Sequence, residues 1–292
     1  MKIGLDIGFG HTKVVYDGGE LKFPTWLAYH TPSSIDSVEV IEWDGKKYVV
    51  GEDVRYEPQR IELPDFGEII KYFPVFLKFV EKKLKQKIKV IITGVPPKYK
   101  ELVGKVKEKC ESMDVSAEVV PQGVGIYLDT KEKIDKTSER EAFILDIGFN
   151  TVDYLIVKND RKIKGDTIEK FGVMKAVELF KSYIPKEHSY LRNFSTSKLM
   201  SVFEKGYAVV EGEKLDLSSY QKRAKSAYRE MLVNRLKQSV GDFIYETELV
   251  IIAGGGAFLF KNESETFGKN VYIPPKPEFS NARGYLKAGR KQ

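Results

Sequence analysis

The chain has 292 residues, enough for two domains with separate cores. Its 42% apolar and 31% charged content is that of a globular protein, and no apolar run reaches the ~18 residues of a membrane-spanning helix. One cysteine, Cys110, rules out an internal disulfide, and three scattered histidines offer no zinc spacing or Ser-His-Asp arrangement. The first residues enter a strand at once rather than an apolar leader, so a reducing cytoplasm is the expected location. Net charge is +6, and residues 78–109 hold eleven lysines against three glutamates. Without interleaved aromatics or a nucleic-acid motif, that stretch reads as a solvated helix face, not a direct nucleic-acid site. Asn and Gln total only 13, which leans towards a thermophilic source.

In chain order, residues 2–7 read as a strand, 8–10 as a glycine turn and 12–16 as a second strand, with a hairpin at 17–20. Residues 26–38 look like a loop, and two short strands flank Asp44-Gly45, so about 20–60 is a β-rich insertion. The 3.6-residue periodicity from Ile69 to Leu84 predicts a helix over 68–84 that Pro74 bends or starts. A buried strand at 88–93, a helix at 99–113, a strand at 116–121 and a helix from 122 follow. Residues 131–141 are charged without a core pattern and read as the domain linker. The second half then restarts: strands at 142–147, 151–157 and 162–167, a helix at 173–183 and a hairpin around Gly212. A long helix after Leu217-Ser218-Ser219 places Tyr220, Ala224, Tyr228, Met231, Leu232, Leu236, Val240 and Phe243 on one face. A strand at 248–253 and a terminal helix at 281–289 close the order. The expected class is α/β with an internal duplication. Its domains are 1–138 with the returning helix 278–292, and 139–277 with a mostly helical insertion at about 170–245.

The duplication is visible in the residues. Leu-Asp-Ile-Gly-Phe occurs at 5–9 and again at 145–149, 140 residues apart. Each copy ends a strand in an aspartate, Asp6 or Asp146, and then turns on glycine. In the first turn, Gly8 and Gly10 let backbone N–H groups approach phosphate oxygens, and Lys13 can reach back to them. His11 either touches a phosphate or only fills the turn. Thr12 in the first copy, and Gly148, Asn150 and Thr151 in the second, occupy the matching stretch. The spacing is not that of a Walker A loop. Paired buried-end aspartates are costly without a cation nearby. Mg²⁺ held by one or two carboxylates and phosphate oxygens would remove that cost. A third element, the strand at 249–252 followed by Gly254-Gly255-Gly256, offers a surface without Cβ atoms for an adenine or ribose face.

These three elements in this order resemble the phosphate 1, phosphate 2 and adenosine motifs of the actin-like ATPase superfamily. Thr93-Gly94-Val95-Pro96 and Asn281-Ala282-Arg283-Gly284-Tyr285-Leu286-Lys287-Ala288-Gly289 are similar to segments of its plasmid-segregating (ParM-type) and archaeal branches. The resemblance implies duplicated actin-like (ribonuclease H-like) domains with a nucleotide cleft between them, and Mg²⁺ with ATP or ADP as cofactors. It gives Asp6 and Asp146 the role of metal-side carboxylates acting through water. Gln122, in Pro121-Gln122-Gly123, would orient the hydrolytic water; read without the resemblance, it is a helix N-terminal residue. Lys222, Arg223 or Lys225 would edge the adenine pocket, or else belong to a solvated helix face. The implied activity is ATP hydrolysis coupled to head-to-tail filament assembly, with DNA or plasmid segregation through a DNA-binding adaptor. The alternatives are a small-molecule kinase of the same superfamily, for which Asp129 and Asp135 are poor acceptor-side bases, and a nucleotide-binding adaptor without turnover.

Overall fold

In the computed structural model, residues 1–32, 38–241, 243–261, 266–267 and 270–289 are described. Two five-stranded sheets dominate, and they have the same topology. In the first, Gly19–Pro24, His11–Tyr16 and Lys2–Ile7 form an antiparallel meander, and Val90–Val95 and Ser116–Pro121 add in parallel. In the second, Arg161–Glu169, Thr151–Lys158 and Glu141–Ile147 form the meander, and Val250–Ala253 and Val271–Tyr272 add in parallel.

Strand alternation decides what each face does. Ile3, Leu5 and Ile7 point into a core with the helix Phe73–Leu84, and Phe143, Leu145 and Ile147 into a core with Val173–Tyr183 and Ser218–Val240. The opposite faces carry Gly4 and Asp6 on one sheet, and Ala142, Ile144 and Asp146 on the other. Each of these faces is covered by one crossover helix. Val124–Ile134 leaves the first sheet and lays Ile126 and Ile134 on the second. Ser280–Ala288 follows the second sheet and lays Ala282 and Leu286 on the first. The two helices meet where Gly125 faces Gly284: a Cβ on Gly284 would stand 1.7 Å from the Gly125 carbonyl oxygen. Asp129 fastens the same crossing, accepting from Arg283, Ser280 and Lys287. Although burial raises its pKa, the bonds from Arg283 and Ser280 hold the Asp129 carboxyl below its ordinary value.

Several elements differ from the sequence reading. The helix expected over 68–84 is two, Phe66–Lys71 and Phe73–Leu84, with Pro74 in the first turn of the second, where its missing N–H costs nothing. The expected loop at 26–38 contains the strand Leu27–Tyr29, which pairs with Lys46–Val50 and Arg60–Ile61 in a separate four-stranded sheet; residues 33–37 of that loop lie outside the described residues. The stretch from 99 is a 3₁₀ turn, Pro97–Leu102, before the helix Val103–Glu111. The charged stretch from 131 is still helical to Ile134, which is buried. That helix starts at Val124, not 122, after Gly123 at φ +89°. A helix at Thr196–Lys205 was not foreseen. On the long helix, Met231 is 38% exposed, Val233 is buried in the core, and Phe243 belongs to a separate turn, Phe243–Glu246. Residues 290–292 of the expected C-terminal segment lie outside the described residues. Among the described residues no helix is long and apolar enough to cross a membrane.

Candidate functional site

The two repeated turns are built alike. Gly8 N–H donates to the His11 carbonyl at 3.2 Å, and Gly148 N–H to the Thr151 carbonyl at 2.9 Å. Asp6 pairs across its hairpin with Lys13, and Asp146 pairs at the equivalent register with Asp153. Here the copies diverge in charge. Lys13 Nζ lies 3.1 Å from Asp6 Oδ2, a neutralised pair. Asp146 faces another carboxylate instead. Burial first, then the charges of Asp6 and Asp153, raise the Asp146 pKa to about 7. Burial raises Asp153 to about 6, against hydroxyl donors from Thr167 and Thr151.

The third turn closes on the second. Gly254 has φ +83°, and a Cβ there would lie 2.3 Å from Asp146 Oδ1 and 2.5 Å from the Ile147 carbonyl oxygen. A Cβ on Gly256 would lie 2.3 Å from Ile147 Cγ2. Only Gly255 opens outward, so the bare face expected of three glycines narrows to one. Across the cleft, a Cβ on Gly10 would stand 3.1 Å from Phe149, so the first and second turns are in contact.

Between the turns lies a cavity of about 100 Å³. Asp6, Gly8, Gly10, His11 and Lys13 line it from the first sheet. Asp146, Gly148, Asn150 and Thr151 line it from the second, with Gly254 and Gly255 beside them and Gln122 at the crossover. Gln122 Nε2 points at Asp146 Oδ2 from 3.4 Å. Burial, then Lys22 and Lys13, lower the His11 pKa to about 4, so His11 is neutral at pH 7. Two expected residues are not in the lining. Thr12 is fully buried, and its hydroxyl bonds Thr25 Oγ1 at 3.0 Å, because its side chain alternates away from the cleft. Gly256 backs onto Ile147. Lys225 Nζ sits 5.5 Å from the Phe258 ring beyond the third turn, and Arg223 stacks on Tyr183 at 4.2 Å; neither lines the cavity.

Sequence reasoning missed four contributors. Asp153 follows Asp146 by seven residues, as Lys13 follows Asp6, and that parity was the available signal. Asn281 donates Nδ2 to Asp146 Oδ2 at 2.7 Å, a contact between residues 135 apart that no local pattern encodes. Met200 and Glu204, from the unforeseen helix Thr196–Lys205, also line the cleft.

Comparison with known proteins bears on the fold. Residues 4–125 match the model for the N-terminal domain of actin-like proteins, and residues 144–266 match that for the C-terminal part of the archaeal MreB-like actin homologue. No curated protein matches. Among solved structures, Ta0583, an archaeal actin homologue, is similar at TM-score 0.84 and 19% identity, covering 100% of this chain and 99% of that one. Ta0583 in complex with ADP is similar at 0.81 and 18%, covering 100% of both chains. A 15-stranded ParM filament from Clostridium botulinum gives 0.80 and 19%, covering 100% and 99%. At these identities the structural likeness is one of fold. Actin-homologue models account for both halves of the chain in order, one for each sheet, and the chain belongs to the actin-like proteins.

Proposed function

We propose that this chain is a nucleotide-dependent actin-like ATPase that binds Mg-ATP between its two sheets and assembles head to tail into filaments. The observation that carries the reading is the pair of buried aspartates, Asp6 and Asp146, each 5% exposed, ending the matching strands of the two halves and facing one cleft. Asp146 is poorly stabilised as an anion in that setting, as its raised pKa records. Hard oxygen donors at a phosphate-sized cleft fit Mg²⁺. Among the described residues no three His, Cys, Asp or Glu side chains gather closely enough to hold a metal by themselves, which agrees with an ion bound mainly by water and phosphate oxygens. When bound, the ion would neutralise charge on the phosphates.

The chain's own groups divide the remaining work. Backbone N–H groups of the two glycine turns cradle phosphate oxygens, and Lys13 exchanges its contact with Asp6 for one with phosphate. Gln122 cannot act as a strong base; its amide orients water, which suits a loose phosphoryl-transfer transition state. The cavity, about 100 Å³, is smaller than the ~300–1,000 Å³ that holds a drug-sized ligand, and in this reading the sheets part to admit the nucleotide and close on it. Closure changes the surfaces that a second copy meets, and a heterologous contact that does not close on itself gives a filament. DNA segregation through an adaptor is the biological role this reading favours. The kinase alternative loses support because Asp129 is engaged by Arg283, and Asp135 by Lys131 and Arg140.

The test is sedimentation with Mg-ATP, Mg-ADP or no nucleotide, together with phosphate release. ATP-dependent pelleting with phosphate release, both lost in Asp146→Ala, is expected. Protein that stays soluble at high concentration with every nucleotide would sink the filament reading.

A further inference from the structure

Both segments that join the sheets reach Asp146. Gln122, in the turn before the first crossover helix, points its amide at Oδ2 from 3.4 Å. Asn281, in the first turn of the second crossover helix, donates to the same oxygen from 2.7 Å. The second bond is the stronger: it is short, directed at a carboxylate and buried, with Asn281 4% exposed. The other oxygen, Oδ1, lies against the Cβ-free wall of Gly254.

Packing alone does not account for an asparagine here. Among the described residues Asn281 Oδ1 is buried without a hydrogen-bond partner, and an unpaired buried carbonyl opposes folding. The close approach of the two crossover helices uses the Asn281 backbone, which a Cβ on Gly125 would meet at 2.5 Å. An apolar side chain of similar size would fill the space without an unpaired carbonyl. What the amide adds is its donor, and the donor points at Asp146.

We propose that Asn281 is a positioning residue that aims the Asp146 carboxylate at the metal–phosphate site. Because Asn281 rides on the helix that covers the first sheet, it ties the aim of a carboxylate on the second sheet to the relative placement of the two halves. This inference rests on the nucleotide-binding reading above.

The test is equilibrium binding of ADP with Mg²⁺ and with EDTA, for wild type and Asn281→Leu, with melting of the nucleotide-free proteins as a check on folding. Wild type should gain affinity from Mg²⁺. The variant should lose about tenfold or more of that gain, the range seen for groups that orient metal-side ligands, while its EDTA affinity stays the same. Where phosphate release is measured, kcat/KM for Mg-ATP should fall with it. A variant that keeps the full Mg²⁺ gain overturns the positioning role alone. A wild type that binds no nucleotide overturns the function and this inference with it. If Asn281→Leu does not fold, Asn281→Ala, which removes the donor without adding bulk, is read the same way.

Discussion

Replacing Gly284 by alanine would put a methyl group where the two crossover helices touch. The new Cβ would stand 1.7 Å from the Gly125 carbonyl oxygen, 2.5 Å from its carbon and 2.8 Å from its Cα. Ordinary contact begins near 3.4 Å, so the helices would have to separate by roughly 1.7 Å. All three atoms are backbone, so no side chain can rotate aside. Overpacking in a tight core costs about 1–3 kcal/mol when side chains can adjust. Here two helices must move, and the bonds from Arg283 to Asp129 and from Asn281 to Asp146 would stretch with them. We expect a loss of about 3 kcal/mol or more, read as a lowered denaturation midpoint, with weaker nucleotide binding in whatever folds. Gly104→Ala, where a Cβ meets nothing within 4 Å, is the control and should be near neutral or mildly stabilising. A Gly284→Ala midpoint within about 0.5 kcal/mol of wild type would refute the argument that this crossing joins the two halves.

Other consequences are open to measurement. Burial raises Asp146 to about 7 and Asp153 to about 6, whereas an unfolded chain releases those protons near pH 4. The nucleotide-free native state therefore holds more protons than the unfolded state between about pH 4 and 7, and its stability should fall as pH rises through that window and level off above it. Asp146→Asn should flatten much of the slope, and midpoints that rise with pH across the window would contradict the assignment. The Tyr285 hydroxyl is fully buried and has no partner among the described residues, so Tyr285→Phe should be neutral or up to ~1 kcal/mol stabilising by thermal melting; a loss of more than that would mean a buried water holds the hydroxyl. Lys13→Ala should weaken ADP binding by about tenfold or more in a fluorescent-nucleotide titration, since it removes the cation beside Asp6, and unchanged affinity would take Lys13 out of the phosphate site.

The glycine turns were legible because a five-residue string occurs twice and each copy sits between apolar, β-prone residues. The same repetition fixed the order of the two sheets. The helix Thr196–Lys205 carries local signals at both ends: Ser195 accepts from Lys198 N–H at its start, and Gly206 ends it at φ +75°. The strand Leu27–Tyr29 has only three residues, too few for an alternation to show. Thr12 looked like a phosphate ligand from its place beside the turn. Strand alternation turns it inward instead, onto Thr25. Asn281 was legible as part of a motif but not as a partner of Asp146, because only the folded crossing of two helices brings those residues together.

A calorimetric titration of Mg-ATP into wild type, Asp6→Ala and Asp146→Ala tests the central claim most directly, because each aspartate belongs to a different sheet. A nucleotide clamped between the two turns predicts one site per chain in wild type and at least tenfold weaker binding in either variant. No binding by wild type, or full affinity after either substitution, would contradict it.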